Sequence, residues 1–92
     1  TRRILAFGGH DSWLREIKFK EPDVRFMGED ISSPEIIRRA DVVWIQTNCI
    51  GHKSYYNIID FARKYDRKVR YFKYASASKC AEQIVEEENA DE

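Results

Sequence analysis

Four short apolar runs alternate with four amphipathic stretches, and this alternation constrains the fold more than any other feature of the chain. Ile4-Leu5-Ala6-Phe7 is wholly apolar and ends in Gly8-Gly9, as a strand buried on both faces should. Asp11 or Ser12 is placed to cap a following helix that carries Trp13, Leu14 and Ile17. Glu21-Pro22-Asp23 breaks that helix before a second strand from Val24 to Met27. Ser32-Ser33-Pro34-Glu35 opens another helix, with capping-box spacing between Ser32 and Glu35, and Ile36, Ile37 and Ala40 form its inner face. Asp41 precedes the strongest strand, Val42-Val43-Trp44-Ile45, which runs out at Gln46-Thr47-Asn48. Tyr55, Ile58, Ile59, Ala62 and Tyr65 make one helical stripe between Ser54 and Arg67. A fourth strand spans Val69 to Tyr74, and a last helix from near Ser76 or Ser78 is expected to bury Cys80, Ala81, Ile84 and Val85.

Strand–helix alternation with short connections implies a parallel sheet covered by helices on both faces. The first and third strands are free of charge and belong in the middle; the second and fourth carry charges and belong at the edges. Right-handed crossovers then give the order 2-1-3-4. The expected fold is an α/β three-layer sandwich on a four-stranded parallel sheet, Rossmann-like or, more closely, like a shortened flavodoxin-type sheet. Residues 1–88 form a single domain and residues 89–92 an acidic C-terminal tail.

Composition supports one modest core, with 42% hydrophobic and 13% aromatic residues in 92. The longest apolar run, Val42 to Ile45, is far below the roughly 20 residues that cross a bilayer, so no membrane is expected. The chain opens on Thr1 without an initiator methionine or signal-like segment, as expected of a trimmed or excised domain. Two cysteines make no disulfide framework, which suits a reducing, cytoplasmic setting. The 16 basic and 16 acidic residues cancel only in sum. From residue 82 onward stand six acids and no base, so the body before it holds all 16 bases against 10 acids, a balance of +6. The acidic end reads as a helix fraying into a solvated tail.

The predicted strand order puts the topological switch point between the first and third strands, where ligands of open α/β sheets bind. Gly8-Gly9-His10-Asp11-Ser12 follows the first strand, and Thr47-Asn48-Cys49-Ile50-Gly51-His52-Lys53 follows the third. Both histidines and one cysteine therefore converge on one rim. The leading reading is an anion site for a phosphate-bearing or nucleotide-like small molecule. Gly8 and Gly9 would let backbone approach a ligand, two helix N-termini would present N–H groups, and His10, His52 and Lys53 would add donors and charge. Ser76 or Ser78 would contribute from the fourth loop, and Tyr55 or Tyr56 would offer a ring to a base. The alternative is a transition metal or haem held by His10, Cys49 and His52. A weaker alternative is an enzyme with Cys49 as nucleophile and a histidine as base. The plain structural reading makes His10 and His52 helix caps and Cys49 a small packing residue.

Several known sites are excluded by residue. Gly8-Gly9 is not G-x-G-x-x-G, and no P-loop lysine follows. Asn48 stands where a receiver domain needs its phosphoacceptor aspartate, Tyr55 where a Cys-x5-Arg phosphatase loop needs arginine, and the acidic pairs of a Toprim site are missing. Arg63-Lys64, Arg67-Lys68, Arg70 and Lys73 form a basic patch beside Tyr65 and Tyr71. A charged helix end and edge strand are commonly just solvated, so nucleic acid is not expected as a partner. A homodimer is a further candidate, although no sequence feature picks its surface.

Gly8-Gly9-His10, Thr47-Asn48-Cys49-Ile50-Gly51-His52 and Tyr55-Tyr56-Asn57 together resemble the small bacterial proteins grouped as domain of unknown function 2325. The resemblance runs from Ile4 to about Val85. Asn48 and Gly51 occupy positions where members often carry Asp and Ser. The resemblance implies the fold and the two-loop site but no reaction. From the glycine turn, the two helix N-termini and the convergent histidines, the expected function is non-enzymatic binding of a small anion, with a sensory or regulatory role.

Overall fold

Charge-free strands seek positions covered on both faces, and β1 (Ile4–Phe7) and β3 (Val42–Ile45) take the two central places of a four-stranded sheet. The computed structural model describes residues 3–28 and 34–90. The edges are β2 (Val24–Phe26) and β4 (Lys68–Tyr71). All pairings are parallel in the expected order 2-1-3-4, with Ile4 opposite both Val24 and Val42, and Trp44 opposite Arg70.

The alternation of side chains along each strand sorts the core into two layers. On one face, Ala6, Val42 and Trp44 meet Trp13 and Ile17 of α1 (Asp11–Lys20) and Cys80, Ala81 and Ile84 of α4 (Ala77–Ala90). On the other, Leu5, Phe7, Val43 and Ile45 meet Ile37 of α2 (Glu35–Arg38) and Ile58 and Ala62 of α3 (His52–Lys64). The first layer is built on aromatics: Phe72 lies 5.5 Å from Trp13 and 4.9 Å from Trp44, centroid to centroid. Such pairs add about 0.5–1.5 kcal/mol beyond their buried area. Trp13 and Trp44 are core residues, as their sequence positions predict.

Element boundaries differ from expectation for identifiable reasons. His10, not Asp11 or Ser12, precedes the first helical residue of α1, and its side chain makes no capping bond. The Ser32 end of the proposed capping box lies outside the described residues; within them Pro34 occupies the cap position of a four-residue helix. The expected end of α3 at Arg67 comes three residues early. Asp66 adopts a left-handed φ of 55°, the Arg67 N–H bonds the Ala62 carbonyl at 2.7 Å and the Asp66 N–H bonds that of Arg63, which is a Schellman stop.

At the sheet edge, β4 ends at Tyr71 rather than Tyr74. The buried Gln83 amide donates to the Tyr71 carbonyl at 3.0 Å and accepts from the Lys73 N–H at 2.9 Å, satisfying outward-facing backbone groups. Val85, expected in the core, is exposed, and Glu88 completes the buried stripe of α4 instead. Glu88 accepts the Trp44 indole N–H at 3.0 Å, and the Arg70 guanidinium lies 2.7 Å from Glu87 and 3.8 Å from Glu88. This stretch of the acidic end is packed, not solvated. Among the described residues no helix is long and apolar enough to cross a membrane.

Candidate functional site

The two loops that leave β1 and β3 are in direct backbone contact. The Gly8 N–H donates to the Gly28 carbonyl, and the Gly9 N–H donates to the Cys49 carbonyl at 2.9 Å. Both glycines need positive φ, 87° and 104°, and both are closely approached. A Cβ on Gly8 would lie 2.5 Å from the Gln46 carbonyl oxygen, and one on Gly9 would lie 2.3 Å from the Trp13 ring. The glycine turn therefore seats one loop on the other and on the Trp13 indole. Its two amide N–H groups bond within the protein, so they are not the groups Gly8 and Gly9 would offer a ligand.

Above this seat, the His10 imidazole Nδ1 stands 3.3 Å from the Cys49 sulfur. That contact spans the switch point, from the residue before α1 to the end of a 3-10 turn at Thr47–Cys49. The turn is held from below by Gln46, which is buried at the end of β3. The Gln46 amide donates to the Tyr74 carbonyl at 3.0 Å, and its oxygen accepts the Asn48 N–H at 3.4 Å. Gln46 continues the inward alternation of Val42 and Trp44, and Glu88 continues the helical spacing of Ala77, Cys80, Ala81 and Ile84. Each was detectable as a polar residue on an apolar repeat; hydrophobicity alone passes over both.

The remaining expected site residues separate. Thr47, Asn48, Gly51, His52 and Lys53 are exposed around the start of α3, which Gly51 precedes in extended conformation. Asp11 and Ser12 line shallow grooves on the outer side of α1, with Arg15 common to both. Ser76 faces its own helix: its hydroxyl accepts the Lys79 N–H at 3.4 Å and its carbonyl the Cys80 N–H at 2.9 Å. Among the described residues no group of three or more His, Cys, Asp or Glu is placed to hold a metal ion. The expected set of His10, Cys49 and His52 is thus not assembled; only the first two meet.

Both cysteines are free but differ in surroundings. Cys80 is fully buried, and burial pushes its thiol up, offset in part by the Trp13 indole, the Tyr74 carbonyl and the Gln46 amide. Cys49 is half-buried at the rim. Thiolate is the reacting form. A soluble alkylating reagent is therefore expected to modify Cys49 in the native protein and Cys80 only after denaturation, as peptide mass spectrometry would read. Equal labelling of both under native conditions would contradict this placement.

No family model, curated protein or solved structure matches the chain.

Proposed function

We propose that the chain is a binding module for a small anion, phosphate- or nucleotide-like, held at the switch point without chemical turnover and serving a sensory or regulatory role. The observation that carries the reading is the start of α3. Its first turn contains no acidic residue, holds His52 and Lys53, and receives no side-chain cap. A helix N-terminus of this kind attracts negative charge by about 0.3–1 kcal/mol through its dipole alone. By contrast, Asp11 occupies the first turn of α1 and offsets that helix's positive end. The anion is therefore assigned to the α3 side, with His10 held on the same rim by its contact with Cys49.

Isothermal calorimetry with inorganic phosphate, pyrophosphate and adenine nucleotides tests the reading. Binding is expected, with Lys53→Glu weakening it about tenfold and leaving the melting temperature unchanged, since Lys53 is exposed. Absence of heat with every one of these anions would overturn the proposal.

The His10–Cys49 contact favours a second reading, thiol chemistry with His10 as proton acceptor. In that case His10→Ala should slow alkylation of Cys49 several-fold, and an unchanged rate would remove it.

A further inference from the structure

Folding uses part of the basic patch seen in the sequence internally. Arg70 points at Glu87, and Arg67 donates to the carbonyls of Tyr65 and Ala40. What stays exposed around the α3–β4 corner includes Arg63 and Lys73 of that patch, together with tyrosines. Tyr56 is 60% and Tyr71 43% exposed, and Tyr55 joins them, its ring centroid 5.4 Å from Tyr56 and 6.4 Å from Tyr71. The Tyr55 and Tyr71 hydroxyls are 3.3 Å apart, which holds both rings in place. Arg63 is exposed on α3 about two helical turns after Tyr56, so the two share one side of the helix. Beyond the strand, Lys73 is exposed, and the Lys79 ammonium lies 5.4 Å from the ring of the exposed Tyr74.

Lysines on an edge strand discourage strand pairing, and that role needs no aromatic companions. Joined aromatic rings left in water beside cations match a different need: bases stack on the rings while cations meet the phosphates. We propose that this corner binds single-stranded nucleic acid, with bases on Tyr56 and Tyr71 and the backbone against Arg63 and Lys73. The sequence-level expectation against nucleic acid rested on treating the basic residues as one solvated patch; the tertiary structure separates those spent internally from those beside the tyrosines. Tyr55 and Tyr56, offered above as a ring for a nucleotide's base, are used here for a strand instead, while His10, His52 and Lys53 of the anion site take no part in this inference.

Fluorescence anisotropy with labelled 12-nucleotide oligo(U) tests it. Binding at low salt is expected, weakening as salt rises, because neutralised phosphates release counterions. The Tyr56→Ala/Tyr71→Ala pair should lose at least about tenfold in affinity, Tyr56→Phe should retain it, and Arg63→Glu should weaken binding and flatten its salt dependence. Circular dichroism and melting of each variant separate lost binding from lost folding. The proposal is overturned by absence of binding at low salt, by equal affinity for duplex of the same charge, or by alanine variants that bind as well as the parent. Sedimentation showing a dimer that the tyrosine variants dissolve would assign the corner to a second copy and overturn it too.

Discussion

Gly9→Ala is expected to lower the melting temperature by at least about 10 °C and to disorder the rim. The added Cβ would sit 2.3 Å from the Trp13 ring, in the layer that holds Phe26 and Phe72. Overpacking a filled core costs roughly 1–3 kcal/mol, and an alanine forced into positive φ roughly 1–2 kcal/mol more. For a domain of this size each kcal/mol is worth about 4–8 °C. Gly28→Ala serves as the internal comparison, because its φ is 64° but the nearest atom to its new Cβ is Leu14 Cδ1 at 3.9 Å. It should show the backbone penalty alone. If thermal unfolding found the two variants equal, Gly9 would not be needed for the close approach of Trp13.

Removing residues 86–92 is expected to cost about 3–5 kcal/mol, measured by urea denaturation. A solvated acidic tail would predict almost no change. In the structure, Glu87 and Glu88 face Arg70, whose guanidinium also lies 5.9 Å from the Trp44 ring, and Glu88 accepts the Trp44 indole N–H. Hydrogen bonds to charged groups contribute roughly 1.5–3 kcal/mol each, and the deletion leaves both a partly buried guanidinium and a buried indole N–H without these carboxylates. Glu88→Gln keeps an acceptor for Trp44 and should cost less than Glu88→Leu. A truncated chain as stable as the parent would return the acidic end to a solvated tail.

Strand order was legible because burial on two faces leaves a compositional mark. Ile4–Phe7 and Val42–Ile45 contain no charge, whereas Arg25 and Arg70 mark the edges, and from this the position of the switch point followed. The candidate site was legible at loop level for the same reason. Its interior was not. His10 and His52 are equivalent in a list of residues, but only His10 crosses to Cys49, while His52 opens α3. Asp11 and Ser12 follow His10 directly, yet helical rotation turns them onto the outer side of α1.

The sequence by itself determined the two-layer burial pattern, the strand order and with it the topological switch point between β1 and β3. These follow from periodic hydrophobicity, which acts locally and repeats along the chain. Only the tertiary structure decided which polar groups are consumed. Gly8 and Gly9 give their amides to carbonyls 20 and 40 residues away, Gly28 and Cys49. Arg70 is drawn to Glu87, and Trp44 to Glu88. A buried donor or acceptor must find a partner wherever the fold brings one, and that partner leaves no local trace in the chain.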